Sequence, residues 1–327
     1  MVHLDSEPSL RVGLLASDGP VGLELKGAFK TGDGQTLTGG KLVIESDPSG
    51  VAITGEQTLA SASQIRLSPD NLDECRFTVD GITIGIDFHW EQKESQSFQG
   101  HIEAARAGDV IQIVNEVPIE SYLAGVISSE MSASCPGELL RAHAVVSRSW
   151  LLAQVRGRPL PQLNEDAAPA RPANAAATTE DAASLVRWYG RESHQGFDVC
   201  ADDHCQRYQG TGKAFSGAVF DAIRDTRGTV LVFEEEICDA RYSKCCGGMT
   251  ERYSAAWDDK DVPYLAPIYD GPDGARSASF TLPLTTEQNA GRWIRSSPPA
   301  YCDTQSEALL STILTGFDQK TRDFYRW

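Results

Sequence analysis

A glutamate at the end of an apolar helix stripe is the residue best suited to acid–base chemistry. The apolar residues before it recur at three- and four-residue spacing, which predicts an amphipathic helix: Ile119, Tyr122, Leu123, Val126 and Ile127. The same spacing continues to Glu130, and Pro118 stands where a helix start tolerates proline. Burial disfavours a charged carboxyl, so a glutamic acid placed here can keep a proton to donate. The structural alternative is a carboxylate that caps the next helix or pairs with Arg148.

A second predicted helix opens around Pro136 and carries a histidine on its apolar face. That face consists of Leu139, His143, Val146, Trp150 and Ala153, and the opposite face has small residues that suit close packing. A lone histidine on an apolar face is typical of a hydrogen-bonded core residue. We interpret His143 in that way.

Imidazole and thiol groups cluster in the segment ESHQGFDVCADDHCQRYQG. His194, Cys200 and His204 are ligand types that suit zinc, and three protein ligands with one open position form a common zinc arrangement. Cys205 lies beside them, but the spacing matches no standard zinc-finger pattern. A disulfide that uses Cys200 or Cys205 is an equal alternative. The sequence predicts one of these two uses.

The surrounding segments predict an α+β fold. Residues 1 to about 113 alternate in short apolar runs with turn residues between them, which indicates β-strands without a long helix. Residues 214–224 predict a helix, followed by strands that end at Tyr242 and Ser243. The glycine pair at 247–248 would let the backbone approach a ligand, although an ordinary hairpin with its closing loop is the alternative.

Composition shifts divide the chain into three predicted regions. A β-rich region covers 1–97, and a mixed helix/strand domain covers 98–275. Within that domain, the alanine- and proline-rich stretch 157–192 predicts a surface insertion. Residues 276–327 alternate strand and helix signals, which indicates a C-terminal α/β extension. It stops on an amphipathic run, so we expect the natural protein to continue.

Charge and composition exclude several classes of protein. The 327 residues are 41% hydrophobic and 23% charged, as in a soluble globular protein. A net charge of -17 argues against nucleic acid and against anionic membrane surfaces. No apolar run approaches the ~20 residues of a transmembrane helix, and no signal-like start is present. Eight cysteines, an even number, favour an oxidising compartment, with free cytosolic thiols as the alternative.

Four motifs in order resemble the SpoIID/LytB family, the sporulation stage II protein D group. The first is VNEVPIESYLAGVISSEMSASCPGELLRAHAVVSRSW, where the family has a Leu-Glu-x-Tyr-Leu-x-Gly-Val run, Glu-Met-Pro and an alanine-rich helix. The others are Cys-x-x-x-His-Cys-Gln-x-Tyr-x-Gly from Cys200, the stretch from Ala222 to Leu231, and Tyr-Ser-x-x-Cys followed by a glycine pair from Tyr242 to Thr250. The resemblance covers about residues 98–270.

This resemblance implies a lytic transglycosylase that cleaves peptidoglycan glycan strands, preferably strands stripped of stem peptides. Glu130 matches the family's catalytic acid, and we expect it to act as acid and then as base, giving 1,6-anhydro-muramyl ends. A zinc on His194, Cys200 and His204 would be structural, because a zinc-activated water would imply hydrolysis. The expected substrate-binding residues are Gln206, Tyr242, Ser243, Thr250 and Arg148.

The sequence departs from the family pattern near the expected groove. Ser132 replaces a proline, Cys135 replaces a tryptophan, His143 replaces a glutamine, and Ser149–Trp150 replaces Thr-Tyr. These changes affect the expected substrate preference more than the chemistry.

Two other functions fit the resemblance. One is a non-catalytic glycan-binding module or an enhancer of another cell-wall hydrolase such as an amidase, and the other is a structural envelope protein. The expected partners are peptidoglycan glycan strands, with an amidase-type hydrolase under the alternative, and no nucleic acid. The family and the cysteines together predict an extracytoplasmic location, periplasmic, envelope-bound or secreted.

Overall fold

A computed structural model describes most of the chain outside one long internal stretch. The described ranges are 1–3, 7–55, 58–86, 91–155, 194–211, 216–257, 259–272, 284–296 and 298–314. The predicted insertion at 157–192 lies outside the described residues, as do residues 315–327.

The first part of the chain forms β-strands, as its alternating pattern predicts. Their bounds are β1 (Val2–His3), β2 (Ser9–Ser17), β3 (Val21–Lys30), β4 (Thr36–Asp47), β5 (Gly50–Thr54), β6 (Thr58–Ala62), β7 (Gln64–Pro69), β8 (Arg76–Ile84), β9 (Gln92–Phe98), β10 (His101–Ala107) and β11 (Val110–Pro118). In the described residues, the first helix starts at Ile119. The α+β class is therefore confirmed.

Side-chain alternation explains why these segments are strands. Successive side chains of a strand point to opposite faces, so a strand with one buried face alternates apolar and polar residues. In β3, Val21, Leu23 and Leu25 are buried while Glu24 and Lys26 are exposed. The buried faces of the strands and helices form one apolar core.

Most strands belong to one mixed sheet. Its order is β12-β2-β11-β10-β7-β3-β4-β5-β6, where β12 is Val199–Cys200, and β8 and β9 extend from β3. β12 runs parallel to β2, while the other pairings are antiparallel. Strands from both sides of residue 97 share this sheet, so the boundary between the 1–97 and 98–275 regions remains a prediction.

Two helices follow β11 and confirm the predicted helix pair. α1 is Ile119–Glu130, and Pro118 immediately precedes it as the last residue of β11. α2 is Gly137–Val155. A turn separates them, in which the N–H of Met131 still donates to the carbonyl of Ile127. Glu130 therefore stands at the C-terminal end of α1, facing the break.

A buried ion pair ties the two helices together. The Arg148 guanidinium donates to both carboxylate oxygens of Glu120, at 3.0 and 2.6 Å, and its side chain is fully buried. It also donates to the carbonyl of Thr229 at 3.0 Å, and the N–H of Gly228 donates to Glu120 at 3.2 Å. Breaking a fully partnered buried pair typically costs about 3–5 kcal/mol.

Short elements complete the described chain. They are α3 (Gly217–Asp225), β13 (Thr229–Val230), β14 (Val232–Phe233), β15 (Glu236–Ile237), α4 (Tyr253–Ala256), a 3-10 turn (Pro263–Leu265), α5 (Glu287–Ile294) and α6 (Glu307–Ile313). β13 pairs with β1, and β14 pairs with β15. The helix predicted at 214–224 is confirmed. The prediction that a strand ends at Tyr242 is wrong, because the segment after β15 is irregular.

The C-terminal helix α6 packs beside the turn that follows Glu130. The Ser134 hydroxyl donates to the carbonyl of Thr312 at 3.0 Å, and Leu310 and Leu314 are buried. The C-terminal region is therefore in direct contact with the α1–α2 turn. No described helix has the length and apolar character that crossing a bilayer requires.

Candidate functional site

The carboxyl of Glu130 lies at the meeting point of three segments. The Tyr242 hydroxyl donates to Oε2 at 2.6 Å, and Nε2 of His143 lies 3.1 Å from the same oxygen. The backbone N–H of Arg207 donates to Oε1 at 3.1 Å. The Glu130 side chain is 18% exposed. It is thus accessible, and in the described residues no Lys or Arg side chain forms an ion pair with it.

Tyr242 is held as a neutral hydrogen-bond donor. Burial, together with the nearby Glu130 carboxylate, raises the pKa of the Tyr242 phenol well above its ordinary value. The phenol oxygen also accepts a hydrogen bond from Nε2 of Gln206 at 3.0 Å. A phenol in this state donates its proton towards Glu130 throughout the physiological pH range.

Gln206 anchors the tyrosine from a buried position. It is 2% exposed, and its Nε2 also lies 3.4 Å from the carbonyl of Ser147 on α2. Its Oε1 is buried without a partner in the described part of the chain. Gln206 therefore orients Tyr242, and it does not present its amide freely at a surface.

The segment 194–211 is attached to the fold at both ends. β12 pairs with β2 near its start, and the N–H of Thr211 at its end donates to the carbonyl of Ser97 on β9. Tyr208 is buried, donates to Oδ1 of Asn115 at 2.9 Å and packs 4.7 Å from the Tyr122 ring. A Cβ on Gly125 would lie 2.6 Å from the Tyr208 ring, so glycine is required for α1 to pack this closely.

Four potential metal ligands lie together in this segment. The ligand atoms of His194, Cys200, His204 and Cys205 are all within 4.8 Å of one another. Nε2 of His194 lies 3.2 Å from Sγ of Cys205, and Nδ1 of His204 lies 3.6 Å from that sulfur and 3.8 Å from Sγ of Cys200. In a tetrahedron with zinc bonds of about 2.0–2.3 Å, neighbouring ligand atoms lie roughly 3.3–3.8 Å apart. The donor set and its spacing therefore fit zinc.

The thiols of this cluster are not joined in a disulfide. In this structure none of the eight cysteines takes part in a disulfide. Hydrogen bonding with Cys205 and burial raise the pKa of the Cys200 thiol to about 11. A cation would favour the thiolate forms by displacing their protons. The disulfide alternative for Cys200 and Cys205 finds no support in this geometry.

The structure buries two of the expected substrate-binding residues, Gln206 and Arg148. The expectation for Arg148 is wrong, because its side chain is fully buried and bound to Glu120. It also does not pair with Glu130, so the Arg148 pairing that was the alternative for that glutamate is wrong, while capping of the next helix stays a prediction. Ser243 is exposed beside Tyr242. Thr250 accepts from the N–H of Ile268 at 2.7 Å, which ties two loops together, and its role in binding remains a prediction.

Sequence reasoning did not assign three groups of the site. His143 was interpreted as a core residue, and it is indeed 4% exposed, but its partner is Glu130. Cys205 is the fourth residue of the His/Cys cluster, and its position next to His204 was the available signal. The N–H of Arg207 carries no side-chain signal that a sequence pattern could reveal.

Comparisons with known proteins find matches to the part of the chain that holds these residues. Residues 107–233 match the family model described as Stage II sporulation protein (SpoIID), and residues 251–327 match a Domain of unknown function (DUF8618). The chain is 24% identical to Stage II sporulation protein D of Bacillus subtilis over 159 residues, 48% of this chain and 40% of that protein.

Two further relatives have similar sequence identities to this chain. The Stage II sporulation protein D of Bacillus amyloliquefaciens is 24% identical over 155 residues, 47% of this chain and 39% of that protein. An uncharacterised protein of Brachyspira hyodysenteriae is 25% identical over 209 residues, 64% of this chain and 45% of that protein. The chain thus spans less than half the length of these relatives. The stretch that matches the SpoIID model, residues 107–233, is the part of the chain that holds Glu130 and the His/Cys cluster.

Proposed function

We propose that this protein is a lytic transglycosylase that cleaves peptidoglycan glycan strands, preferably strands without stem peptides. One observation carries the proposal: the Glu130 carboxyl is partly exposed and is contacted by the Tyr242 hydroxyl and by Nε2 of His143. The SpoIID match supports a cell-wall substrate. A glycan strand outside the cytoplasm would be its partner, which supports an extracytoplasmic location.

The reaction needs one group that donates a proton and then accepts one. Glu130 protonates the departing glycosidic oxygen while an oxocarbenium-like centre forms at the muramic acid. The muramic acid's own 6-hydroxyl then closes on the anomeric carbon, and the Glu130 carboxylate takes up the proton of that hydroxyl. A glycosidase that hydrolyses its substrate uses a second carboxylate for water or for the sugar. Here the substrate's hydroxyl replaces that second group.

Three groups contact the two oxygens of the Glu130 carboxyl. The Tyr242 hydroxyl donates to one oxygen and the N–H of Arg207 donates to the other. The imidazole of His143 can donate to Glu130 or accept from it, because Nε2 donates in one tautomer and accepts in the other. These three groups would hold Glu130 in one orientation throughout the reaction.

A zinc ion bound by His194, Cys200, His204 and Cys205 would have a structural role. With Cys205 as a fourth protein ligand, the set is closed, unlike the three-ligand set that the sequence predicts, and catalytic zinc sites keep one position open. The ion would cross-link the segment that ends in Gln206 and Arg207. These residues contact Tyr242 and Glu130, so the metal would stabilise the site from outside it.

Mass spectrometry of digestion products tests the proposal. Glycan strands stripped of stem peptides by an amidase are incubated with the protein, and the ends of the products are identified. The proposal predicts anhydro-muramyl ends, which are lighter by one water than the reducing ends made by hydrolysis. Reducing ends would show hydrolysis instead, and binding without turnover would favour the glycan-binding alternative.

A further inference from the structure

We propose that Arg241 binds the free lactyl carboxylate of a muramic acid residue and so selects strands without stem peptides. This inference rests on the proposed function, because it assigns a specificity residue for the same substrate. The guanidinium of Arg241 lies over two indole rings. The guanidinium carbon of Arg241 lies 4.2 Å from the centroid of the Trp257 ring and 5.9 Å from that of Trp150.

Arg241 packs on the face of α2 that also carries His143, which contacts Glu130. His143, Ser147 and Trp150 follow one another at four- and three-residue spacing on α2, so they share a face. At 1.5 Å per residue, Trp150 lies roughly 10 Å along the axis from His143. His143, Ser147 and Trp150 are themselves buried, so this distance gives only the separation that a glycan strand of a few sugars would span between Glu130 and the Arg241 side chain.

The segment before Tyr242 runs along this face. Asp239 accepts from Nε2 of Gln154 near the end of α2 at 3.0 Å, whereas Tyr242 reaches Glu130 at the other end. Arg241 lies between these two contacts in the chain and packs over Trp150. The segment thus connects Tyr242, which contacts Glu130, with Arg241, which packs on the Trp257 indole. Trp257 is 38% exposed.

The chemistry of Arg241 suits a carboxylate ligand. Its Nε is buried and forms an ion pair with Oδ1 of Asp239 at 2.9 Å without a hydrogen bond, and in the described residues the two terminal amino groups of the guanidinium fork have no hydrogen-bond partner. Such a fork binds carboxylates with two parallel hydrogen bonds. Stacking on the Trp257 ring fixes the guanidinium plane and leaves its edge for the ligand. The side chain is 18% exposed.

The charge of the substrate explains the selection. In a strand that carries stem peptides, the lactyl carboxyl is part of an amide and is neutral, whereas amidase action leaves it as a free carboxylate. A protein with a net charge of -17 repels such a polyanion unless a cation stands at the site. Arg241 supplies that cation. A chitin oligosaccharide has the same sugar backbone and no lactyl group, so it offers Arg241 nothing to bind.

Binding measurements on a protein that cannot turn over separate this role from catalysis. Glu130→Gln protein is titrated with oligosaccharides of alternating N-acetylglucosamine and N-acetylmuramic acid, and with chitin oligosaccharides of equal length. Adding Arg241→Gln should weaken binding of the muramic acid ligand about 10- to 100-fold, the range for a hydrogen bond to a charged group, and leave chitin binding unchanged. Arg241→Lys should keep part of the affinity, since it keeps the charge.

Equal losses of affinity for both ligands, or no loss for either, would overturn the inference. Arg241 would then have only a structural role, packing against Trp257. A second measurement needs no variant of Arg241. The Glu130→Gln protein should bind the muramic acid ligand more tightly than the same ligand with its carboxyl amidated, and equal affinities would contradict the role. If discrimination holds but the unaltered protein makes no anhydro ends, the proposed activity fails while the subsite stands.

Discussion

Removing the metal should loosen the segment that supports Glu130 without changing the type of product. The perturbation is chelation, or the substitution Cys205→Ser, which removes a sulfur that lies 3.2 Å from His194 and 3.6 Å from His204. The segment ends at Gln206 and at the N–H of Arg207, the two groups that contact Tyr242 and Glu130. Both contacts should weaken when the cross-link is lost.

The size of the effect follows from mass action. A ligand that binds only the folded state at 100 times its Kd adds about 2.7 kcal/mol to the free energy of unfolding. At roughly 2–4 °C per kcal/mol for large chains, this corresponds to a fall in Tm of about 5–11 °C. Four ligands at tetrahedral spacing make saturation at micromolar zinc the expected state, so the fall should be seen on adding a strong chelator.

The assay combines elemental analysis, thermal unfolding and product analysis. We expect about one zinc per chain, a lower Tm after chelation, and slower formation of anhydro ends. Cys302→Ser is the matched control, because it makes the same change outside the cluster and should keep the metal. An unchanged Tm with no bound metal would refute the structural zinc. Reducing ends that vanish on chelation would show that the metal activates water instead.

Three further predictions concern single residues. Tyr242→Phe should lower kcat about 10- to 100-fold in a strand-cleavage assay, because Glu130 loses a hydrogen-bond donor; an unchanged kcat would remove Tyr242 from the site. Burial raises the pKa of Tyr122, Tyr208 and Tyr242, so the folded state holds protons that the unfolded state releases above about pH 10. Stability to urea should therefore fall as pH rises past about 10, and less steeply in Tyr242→Phe. Arg148→Met should lower the free energy of unfolding in urea by about 3–5 kcal/mol, because it leaves the buried Glu120 carboxylate without its partner. An unchanged free energy of unfolding would contradict the structural role of Arg148.

Local pattern was sufficient to predict the helix pair and its glutamate. The apolar spacing from Ile119 to Ile127 places Glu130 on the buried stripe, and α1 ends at that residue. The strand region was equally visible, because one-sided burial imposes a two-residue period on β3 and its neighbours. Such patterns arise within a single helix or strand, so they can be recognised without knowledge of the fold.

Partners from different elements were the part that sequence could not assign. Arg148 stands near Glu130 in the motif, yet it pairs with Glu120, which is 28 residues away on the first turn of α1. A helix presents its two acidic residues on different sides and ends, and only packing decides which one meets the arginine. His143 took the place beside Glu130 for the same reason.

Contacts made by the backbone were the other feature that the sequence could not predict. The N–H of Arg207 reaches Glu130 because the segment folds back over α1, and Gly125 permits this by leaving room for the Tyr208 ring. Cys205 lies in the His/Cys cluster because of the turn in which its N–H donates to the carbonyl of Asp202. Backbone geometry of this kind leaves little trace in residue types.

Counting anhydro-muramyl ends made by Glu130→Gln is the most direct test of the central claim. Glu138→Gln is the matched control, because it makes the same change at an exposed carboxylate on the first turn of α2. With denuded strands as substrate, Glu130→Gln should form these ends about 10²–10⁴-fold more slowly than the control, the usual contribution of a general acid. Equal rates in the two variants would contradict the role of Glu130.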